Sequence, residues 1–123
     1  YMNSPQLLNN KFNLNADKRF YFAGQMTGVE GYVESAASGL MAGLHAAREA
    51  LGLEAVEFPA ETAHGALANY ISNPAVKEFQ PMNINFGLIP PLTQRIRKKR
   101  EKNAMIAARA LEVLDVVKAK YEL

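Results

Sequence analysis

The sequence predicts an α/β fold that is mainly helical and contains one or two short strands. An aromatic run at 19–23 (RFYFA), ended by a glycine, is typical of a buried strand. Three later segments, at 32–51, 62–72 and 93–120, carry apolar residues at helical spacing. The 123 residues are 49% apolar and 21% charged, which is the composition of one globular domain and excludes collagen-like and disordered classes.

The absence of cysteine and of a membrane-spanning segment narrows the class of protein further. The chain has no cysteine, so disulfides, thiolate metal sites and a thiol nucleophile are excluded within it. This is consistent with a reducing compartment, and we expect a cytoplasmic protein without a membrane-spanning segment. The chain opens Tyr1-Met2-Asn3-Ser4 and soon enters one strand that has no partner strand, so we expect a piece of a larger protein.

The predicted elements follow one another without an internal repeat or a second domain. In chain order they are a strand at 19–23, a glycine turn at 24–31, a helix at 32–51, a helix at 62–72, an extended segment at 78–92 and a C-terminal helix at 93–120. Gly52 is placed to end the first long helix as a left-handed cap. Thr62 and Thr93 are the predicted N-caps of the two later helices.

The first long helix carries a stripe of small residues. Gly39 and Gly43 lie within this stripe, and each costs about 1 kcal/mol relative to alanine in a helix interior. Close packing of this face on a sheet or on a bound group would explain why both glycines are present.

The strand, glycine turn and helix start together predict an anion-binding site. Backbone N–H groups point outward at a helix start, where the helix dipole adds a partial positive charge. A phosphate, a carboxylate or a flavin pyrimidine carbonyl would each suit such a site, and a purely structural turn is the alternative. Gly24, Gly28 and Gly31 are spaced four and three apart, which matches neither the G-x-G-x-x-G fingerprint nor a phosphate-binding loop.

Positive charge is concentrated near the predicted start of the C-terminal helix. Residues 95–102 contain six basic residues and one acid, for +5, whereas the whole chain carries +2 and the remainder therefore −3. The basic residues are Arg95, Arg97, Lys98, Lys99, Arg100 and Lys102. Such a cluster is a candidate nucleic-acid contact, and a solvated helix face is the alternative.

Residues 22–40 (FAGQMTGVEGYVESAASGL) closely resemble the C-terminal flavin segment of the folate- and FAD-dependent tRNA (uracil-5-)-methyltransferases. Residues 3–8, 58–63 and 79–88 are similar to further signatures of this family. A related flavoprotein that modifies the tRNA wobble uridine shares part of the same glycine framework. The resemblance covers nearly the whole chain.

The resemblance implies that this chain is the C-terminal part of a Rossmann-like FAD-binding domain. In the whole enzyme, reduced FAD helps move a one-carbon unit from methylenetetrahydrofolate to C5 of a T-loop uridine, and NAD(P)H reduces the flavin again. The implied partners are tRNA and the missing N-terminal part of the enzyme. The dinucleotide fingerprint and the catalytic cysteines are absent here, so we expect no catalytic residue and no activity in the isolated chain.

The resemblance assigns the flavin cradle to eight residues of the turn and helix start. They are Gly24, Gln25, Thr27, Gly28, Val29, Glu30, Gly31 and Tyr32. The ring of Tyr32 is placed to stack on flavin, folate or a flipped base, and ordinary packing is the alternative. Glu30 and Glu34 share a helix face, where they would hold a ribityl hydroxyl or a folate amine, or merely complement the helix dipole.

The remaining assignments are structural or open. His45 and His64 have no second ligand at metal spacing, so both are predicted to be structural, and no metal site is expected. Asn83, Asn85 and Phe86 are candidates for the rim of the site. The alternative function is a non-catalytic RNA-binding or interaction module that uses the basic residues 95–102. The oligomeric state stays open.

Overall fold

The regular structure consists of four helices, two 3-10 turns and three isolated β-bridges. The computed structural model describes all 123 residues. The helices are α1 (Ser4–Leu7), α2 (Tyr32–Ala50), α3 (Ala63–Ser72) and α4 (Lys99–Tyr121), and the 3-10 turns span Gly24–Thr27 and Phe86–Leu88. The prediction of a mainly helical chain is confirmed, and no parallel sheet is present within these residues.

The strand predicted at 19–23 does not form. Tyr21 pairs only in an isolated antiparallel bridge with Asn13, and two backbone hydrogen bonds hold this fold-back, from Leu14 to Phe20 and from Phe22 to Phe12. The chain supplies no neighbouring strand, and a single extended segment cannot form a hydrogen-bonded ladder by itself. Phe20 is accordingly exposed by 53%, so the aromatic run is not buried as the pattern suggested.

Helix α2 agrees with its predicted bounds to within one residue. It begins after Gly31, whose φ of +94° is a left-handed value, and it ends before Leu51 and Gly52. Gly52 has a φ of +69°, and the N–H of Leu53 donates to the carbonyl of Arg48 at 2.8 Å. This bond across the end of the helix is the Schellman pattern expected of a glycine terminator.

Helix α3 starts at the residue that its cap predicts. The Thr62 hydroxyl oxygen accepts from the N–H of Gly65 at 2.9 Å, and the same hydroxyl donates to the carbonyl of Pro59 at 2.7 Å. Thr62 is buried, so these bonds satisfy polar groups that no water reaches.

Helix α4 begins at Lys99, six residues later than predicted, and Thr93 is not its cap. The guanidinium of Arg109 donates to the carbonyls of Pro90 and Pro91, which fixes these prolines beside the middle of the helix. Residues 92–98 must therefore run alongside α4, from the level of Arg109 back to the level of Lys99, before the helix can start. A start at 94 would put about 22 Å of helix between that residue and Arg109, whereas three extended residues span about 11 Å.

The main core lies between α1, α2, α3 and the loops that precede α2. Its fully buried members are Leu8, Phe12, Val29, Met41, Ala42, Leu67, Ala68 and Ile71. Helix α4 packs outside this core, where Val117 and Tyr121 cover Val56 and the Tyr121 hydroxyl accepts from the N–H of Glu57 at 3.3 Å.

The two glycines of the small-residue stripe on α2 are open in this structure. A Cβ atom added at Gly39 or Gly43 would meet nothing within 4 Å, so no part of this chain packs on these two positions. The extended segment at 78–92 is irregular apart from the 3-10 turn and one bridge between Met82 and Val29. None of the helices is long and apolar enough to cross a lipid bilayer.

Candidate functional site

The glycine turn has the left-handed backbone that the glycine spacing predicts. Gly24, Gly28 and Gly31 have φ values of +74°, +90° and +94°. These are values that residues with a side chain rarely adopt. The three glycines together redirect the chain from the extended segment through the 3-10 turn into the N-terminus of α2.

Hydroxyl groups tie this turn to its surroundings. The N–H of Gly24 donates to the Ser38 hydroxyl at 2.8 Å, and the Thr27 hydroxyl donates to the carbonyl of Gly24 at 2.7 Å. The Ser4 hydroxyl of α1 donates to the carbonyl of Thr27 at 2.6 Å. The polar groups of the turn are thus bonded on its inner side, which holds its shape.

A second segment, residues 79–83, supports the turn from below. Met82 donates to the carbonyl of Gly28 at 2.9 Å and accepts from the N–H of Glu30 at 3.0 Å. A Cβ atom at Gly28 would overlap the ring of Phe79. The absence of a side chain at Gly28 is therefore required both by its φ and by this ring.

The outer side of the turn faces a cavity of about 290 Å³. It is lined by Gln25, Glu30, Gly31, Tyr32 and Ser35. The side chain of Tyr32 is 98% exposed, so it packs on no other residue of this chain. Four of the eight predicted cradle residues thus meet around one cavity at the N-terminus of α2.

The other four predicted residues are buried or hydrogen bonded within the chain and do not line the cavity. Thr27 and Val29 are fully buried, so their side chains are turned away from the cavity. The N–H of Gly24 is bonded to Ser38, and the N–H of Gly28 donates to the carbonyl of Gln25 at 3.0 Å. These residues shape the turn, whereas the residues from Glu30 to Tyr32 and Gln25 line its open side.

The N-terminus of α2 combines a free helix end with acidic side chains. Gly31 caps the helix without any side-chain hydrogen bond to the first turn. The carboxylate of Glu34 accepts from Asn83 Nδ2 at 3.0 Å, and this hydrogen bond lowers the pKa of Glu34 below its ordinary value. A full negative charge would be repelled by this carboxylate, so the site favours a neutral group with polarised carbonyl oxygens or hydroxyls.

The basic cluster lies on the surface, and none of its residues lines the cavity of the turn. All six of its residues are exposed, and the single ion pair within 95–102 joins Lys98 to Glu101 at 4.0 Å. Arg95, Arg97 and Lys98 precede α4 instead of lying on it, because the helix starts at Lys99.

The two histidines are packed against one aromatic ring. The ring centroid of Phe58 lies 6.0 Å from that of His45 and 5.4 Å from that of His64. Burial lowers the pKa of both, and that of His45 falls to about 4 with help from the Lys11 charge. No group of three His, Cys, Asp or Glu residues in this structure could hold a metal ion.

Sequence reasoning missed the contribution of Phe79 and Met82 to the turn. Asn83 was a candidate for the rim, and its amide does reach Glu34 on α2. Asn85 instead accepts from the N–H of Gly87, and Phe86 lies in an apolar groove against α4. The alternation of polar and apolar residues at 80–87 was the available signal, because it indicates an extended segment that can pair with another.

Comparison with known proteins gives a match to one family model over less than half of the chain. Residues 1–54, which include the glycine turn and all of α2, match the family described as Glucose inhibited division protein A.

Similarity to individual proteins extends over nearly the whole chain. The methylenetetrahydrofolate–tRNA-(uracil-5-)-methyltransferases TrmFO of Enterococcus faecalis and Lactiplantibacillus plantarum are 58% and 55% identical to it over 92% and 96% of its length. The TrmFO of Lactobacillus johnsonii is 50% identical over all 123 residues. The resemblance seen in the sequence is confirmed, and this chain is TrmFO-like. It spans about a quarter of the length of these relatives, 26–28%.

Proposed function

We propose that this chain forms one wall of the flavin site in a folate- and FAD-dependent tRNA (uracil-5-)-methyltransferase. The observation that carries the proposal is the cavity at the N-terminus of α2, which is lined by Gln25, Glu30, Gly31 and Tyr32. The names of the relatives specify tRNA, a uracil and methylenetetrahydrofolate, and 50–58% identity over more than nine-tenths of the chain supports the same reaction here.

The cavity fits one end of a flavin better than a phosphate group. Its volume of about 290 Å³ accommodates part of a cofactor, and the rest of FAD would contact residues outside this chain. The free helix end would polarise carbonyl oxygens of the pyrimidine ring, while Glu30 would accept from a ring N–H or a ribityl hydroxyl. Bound reduced flavin supplies the electrons for one-carbon transfer, with NAD(P)H as the source that recharges it.

The chain's own residues position and shield that end of the cofactor. Gly31 gives the backbone a close approach, because it has no side chain to stand between its N–H and the ligand. Tyr32 is free to cover the outer face of a flat ring system, whether this is flavin, folate or a flipped uracil. The chain has no cysteine and therefore no thiol nucleophile, so we expect it to be inactive in isolation.

The test uses a chimera in which this chain replaces the matching segment of the Enterococcus faecalis relative. We expect the purified chimera to be yellow, with stoichiometric FAD, and to methylate a T-loop substrate. Gly28→Asp and Gly31→Asp should lose at least nine-tenths of the FAD, because both introduce a side chain at a positive φ. The new side chain would overlap the ring of Phe79 at position 28, and at position 31 it would place a second carboxylate beside Glu34.

Gly39→Asp is the matched control, because the same charge is added on α2 where nothing lies within 4 Å of the new Cβ. The FAD content of this control should be measured in the same chimera. A thermal denaturation curve should be recorded for every variant. Full FAD content in both turn variants, at unchanged folding, would overturn the proposed flavin contact.

The basic segment supports a second candidate function, RNA binding by this chain alone. Its six cations are exposed and only one forms an ion pair, so five are free to contact phosphates. The 123-residue chain should then bind tRNA with an affinity that falls steeply with salt, at a slope of about five phosphate contacts. Charge reversal of Arg95, Arg97 and Arg100 should abolish this binding, and salt-independent binding or none would exclude the candidate.

A further inference from the structure

Two apolar cavities adjoin one another beside the cavity of the glycine turn. The first, of about 190 Å³, lies between α2 and α3, and the second, of about 350 Å³, lies between the segment 84–89 and α4. Ala63 and Ile84 line both cavities, so together they form one trough, the α2–α4 trough. The trough starts at Val33, which directly follows Tyr32 of the turn cavity in α2.

The walls of the α2–α4 trough are apolar and partly open to solvent. Asn85 is the one polar residue that lines the second cavity, whereas Phe86 and Leu111 are apolar and are 45% and 65% exposed. The one acidic lining residue is Glu34, whose carboxylate is held by Asn83 at the end of the trough next to the turn. An aromatic group in the second cavity would therefore remove exposed apolar surface from water without meeting a charge.

Positive charge lies beyond the other end of the α2–α4 trough. Arg100 precedes Ala107 and Leu111 by seven and eleven residues, so all three share one face of α4. Seven residues of helix put Arg100 about 10 Å from Ala107 along the axis. Arg100 is exposed, and the single ion pair within 95–102 joins Lys98 to Glu101, so Arg100 has no acidic partner in this chain.

We propose that the α2–α4 trough binds the p-aminobenzoyl-glutamate arm of a folate and selects folates with several glutamates. The inference rests on the proposed function, which makes methylenetetrahydrofolate the one-carbon donor. The arm carries an aromatic ring followed by carboxylates, in the same order as the apolar wall at Phe86 and Leu111 and then the cation of Arg100. An RNA strand would instead place phosphates along the apolar wall, where no cation lines the second cavity.

The distance to Arg100 decides the preference for several glutamates. A single glutamate lies directly beside the aromatic ring of the arm and does not reach Arg100 from the second cavity. Three extended residues, at about 3.3–3.6 Å each, span the 10 Å that separate Ala107 from Arg100. A tail of three γ-linked glutamates therefore brings its last carboxylates to the basic segment.

Calorimetric titration of the full 123-residue chain with p-aminobenzoyl-γ-triglutamate and with p-aminobenzoylglutamate tests the proposal. We expect saturable binding of both, with the triglutamate bound about fivefold more tightly, as expected of exposed ion pairs. Arg100→Gln should reduce this preference to about twofold or less. Lys118→Gln is the matched control, because Lys118 is an exposed cation of the same helix that does not line the trough.

A second pair of variants tests the apolar wall. Leu111→Asn should weaken the binding of both ligands by about fivefold and leave the preference between them unchanged, because it removes apolar contact and no charge. Val116→Asn is its control, since Val116 also lies on α4, is 67% exposed and does not line the trough. Both changes are on the surface, so both variants keep the fold, which circular dichroism verifies.

Neither ligand contains a pterin or requires FAD, so these titrations are independent of the proposed flavin contact. No saturable binding of the triglutamate at millimolar concentrations, or equal affinity for both ligands, would overturn the proposal. A γ-triglutamate without the p-aminobenzoyl group should bind more weakly, and equally tight binding would show that only charge attraction is present. Binding of tRNA that depends on Arg100, without any binding of the triglutamate, would assign the cations to RNA instead.

Discussion

Four of the glycines of this chain form two groups that differ in backbone conformation and in what surrounds them. Gly28 and Gly31 have a positive φ and close neighbours, so no other residue fits their positions. Gly39 and Gly43 are helical and face open space. In the first group, the backbone conformation and the neighbouring side chains of this chain both require glycine. In the second group, no feature of this chain requires it.

This difference predicts opposite effects of the same substitution. Gly28→Ala should lower the free energy of unfolding by at least about 2 kcal/mol, because it adds left-handed strain and a clash with Phe79. Gly39→Ala should raise it by about 1 kcal/mol, since alanine is the better helix former and finds room. Urea unfolding of both variants provides the measurement, and equal effects of the same sign would contradict this interpretation.

The ends of the helices were predictable where a local side chain or glycine sets them. Thr62 and Gly52 define the start of α3 and the end of α2 through contacts within five residues. The start of α4 was not predictable, because it depends on the distant contact between Arg109 and the Pro90–Pro91 carbonyls. The strand at 19–23 failed for a similar reason, since a ladder depends on a partner and not on the strand's own residues.

The cap of α3 gives a prediction at the level of this helix. Thr62→Ala should cost about 1–2 kcal/mol of stability, because it leaves the N–H of Gly65 without its acceptor in a buried place, whereas the carbonyl of Pro59 still accepts from the backbone N–H of residue 62 at 3.0 Å. Thr62→Ser keeps the hydroxyl and should recover most of this loss in thermal denaturation. An alanine variant as stable as the serine variant would show that the hydroxyl does not act as the cap.

The position of the basic segment also depends on one side chain. Arg109→Gln should release residues 90–98 from α4 and make the basic cluster more accessible, so trypsin should cut within 95–102 several times faster. Lys118→Gln, an exposed change in the last turn of the same helix, is the control and should leave the cleavage rate unchanged. Identical rates in both variants would mean that Arg109 does not hold this segment.

Over the whole molecule, the sequence predicted the location of the candidate site better than its construction. The turn and helix start at 24–32 were evident from glycine spacing and from the resemblance. The support from Phe79 and Met82 was not, because the alternation at 80–87 indicates an extended segment but does not say which distant part of the chain it contacts. The burial of Thr27 and Val29 likewise depends on what packs around them.

Stability as a function of pH provides a prediction for the entire fold. The pKa of His45 is about 4 when folded against 6.5 for a free histidine, so the unfolded chain binds the proton more readily between these values. The free energy of unfolding should therefore be largest above pH 6.5 and should fall by about 2 kcal/mol between pH 7 and pH 5. His64 shifts in the same direction and adds to this decline.

Comparison of His45→Gln with the unsubstituted chain isolates the contribution of His45. The glutamine variant cannot titrate in this range, so its stability should vary less between pH 7 and pH 5, with the remaining slope removed by a further His64→Gln change. Denaturant unfolding at several pH values gives the two curves. Parallel curves would contradict the role assigned to His45.

The bridge between Val29 and Met82 has a consequence for the order of folding events. Closing a loop of about fifty residues is entropically costly, so we expect this contact to form late, after the helices and their local caps. The glycine turn acquires its final geometry only when the segment at 79–83 docks beneath it. A nascent or truncated chain that ends before Phe79 would hold the residues of the turn but not its shape.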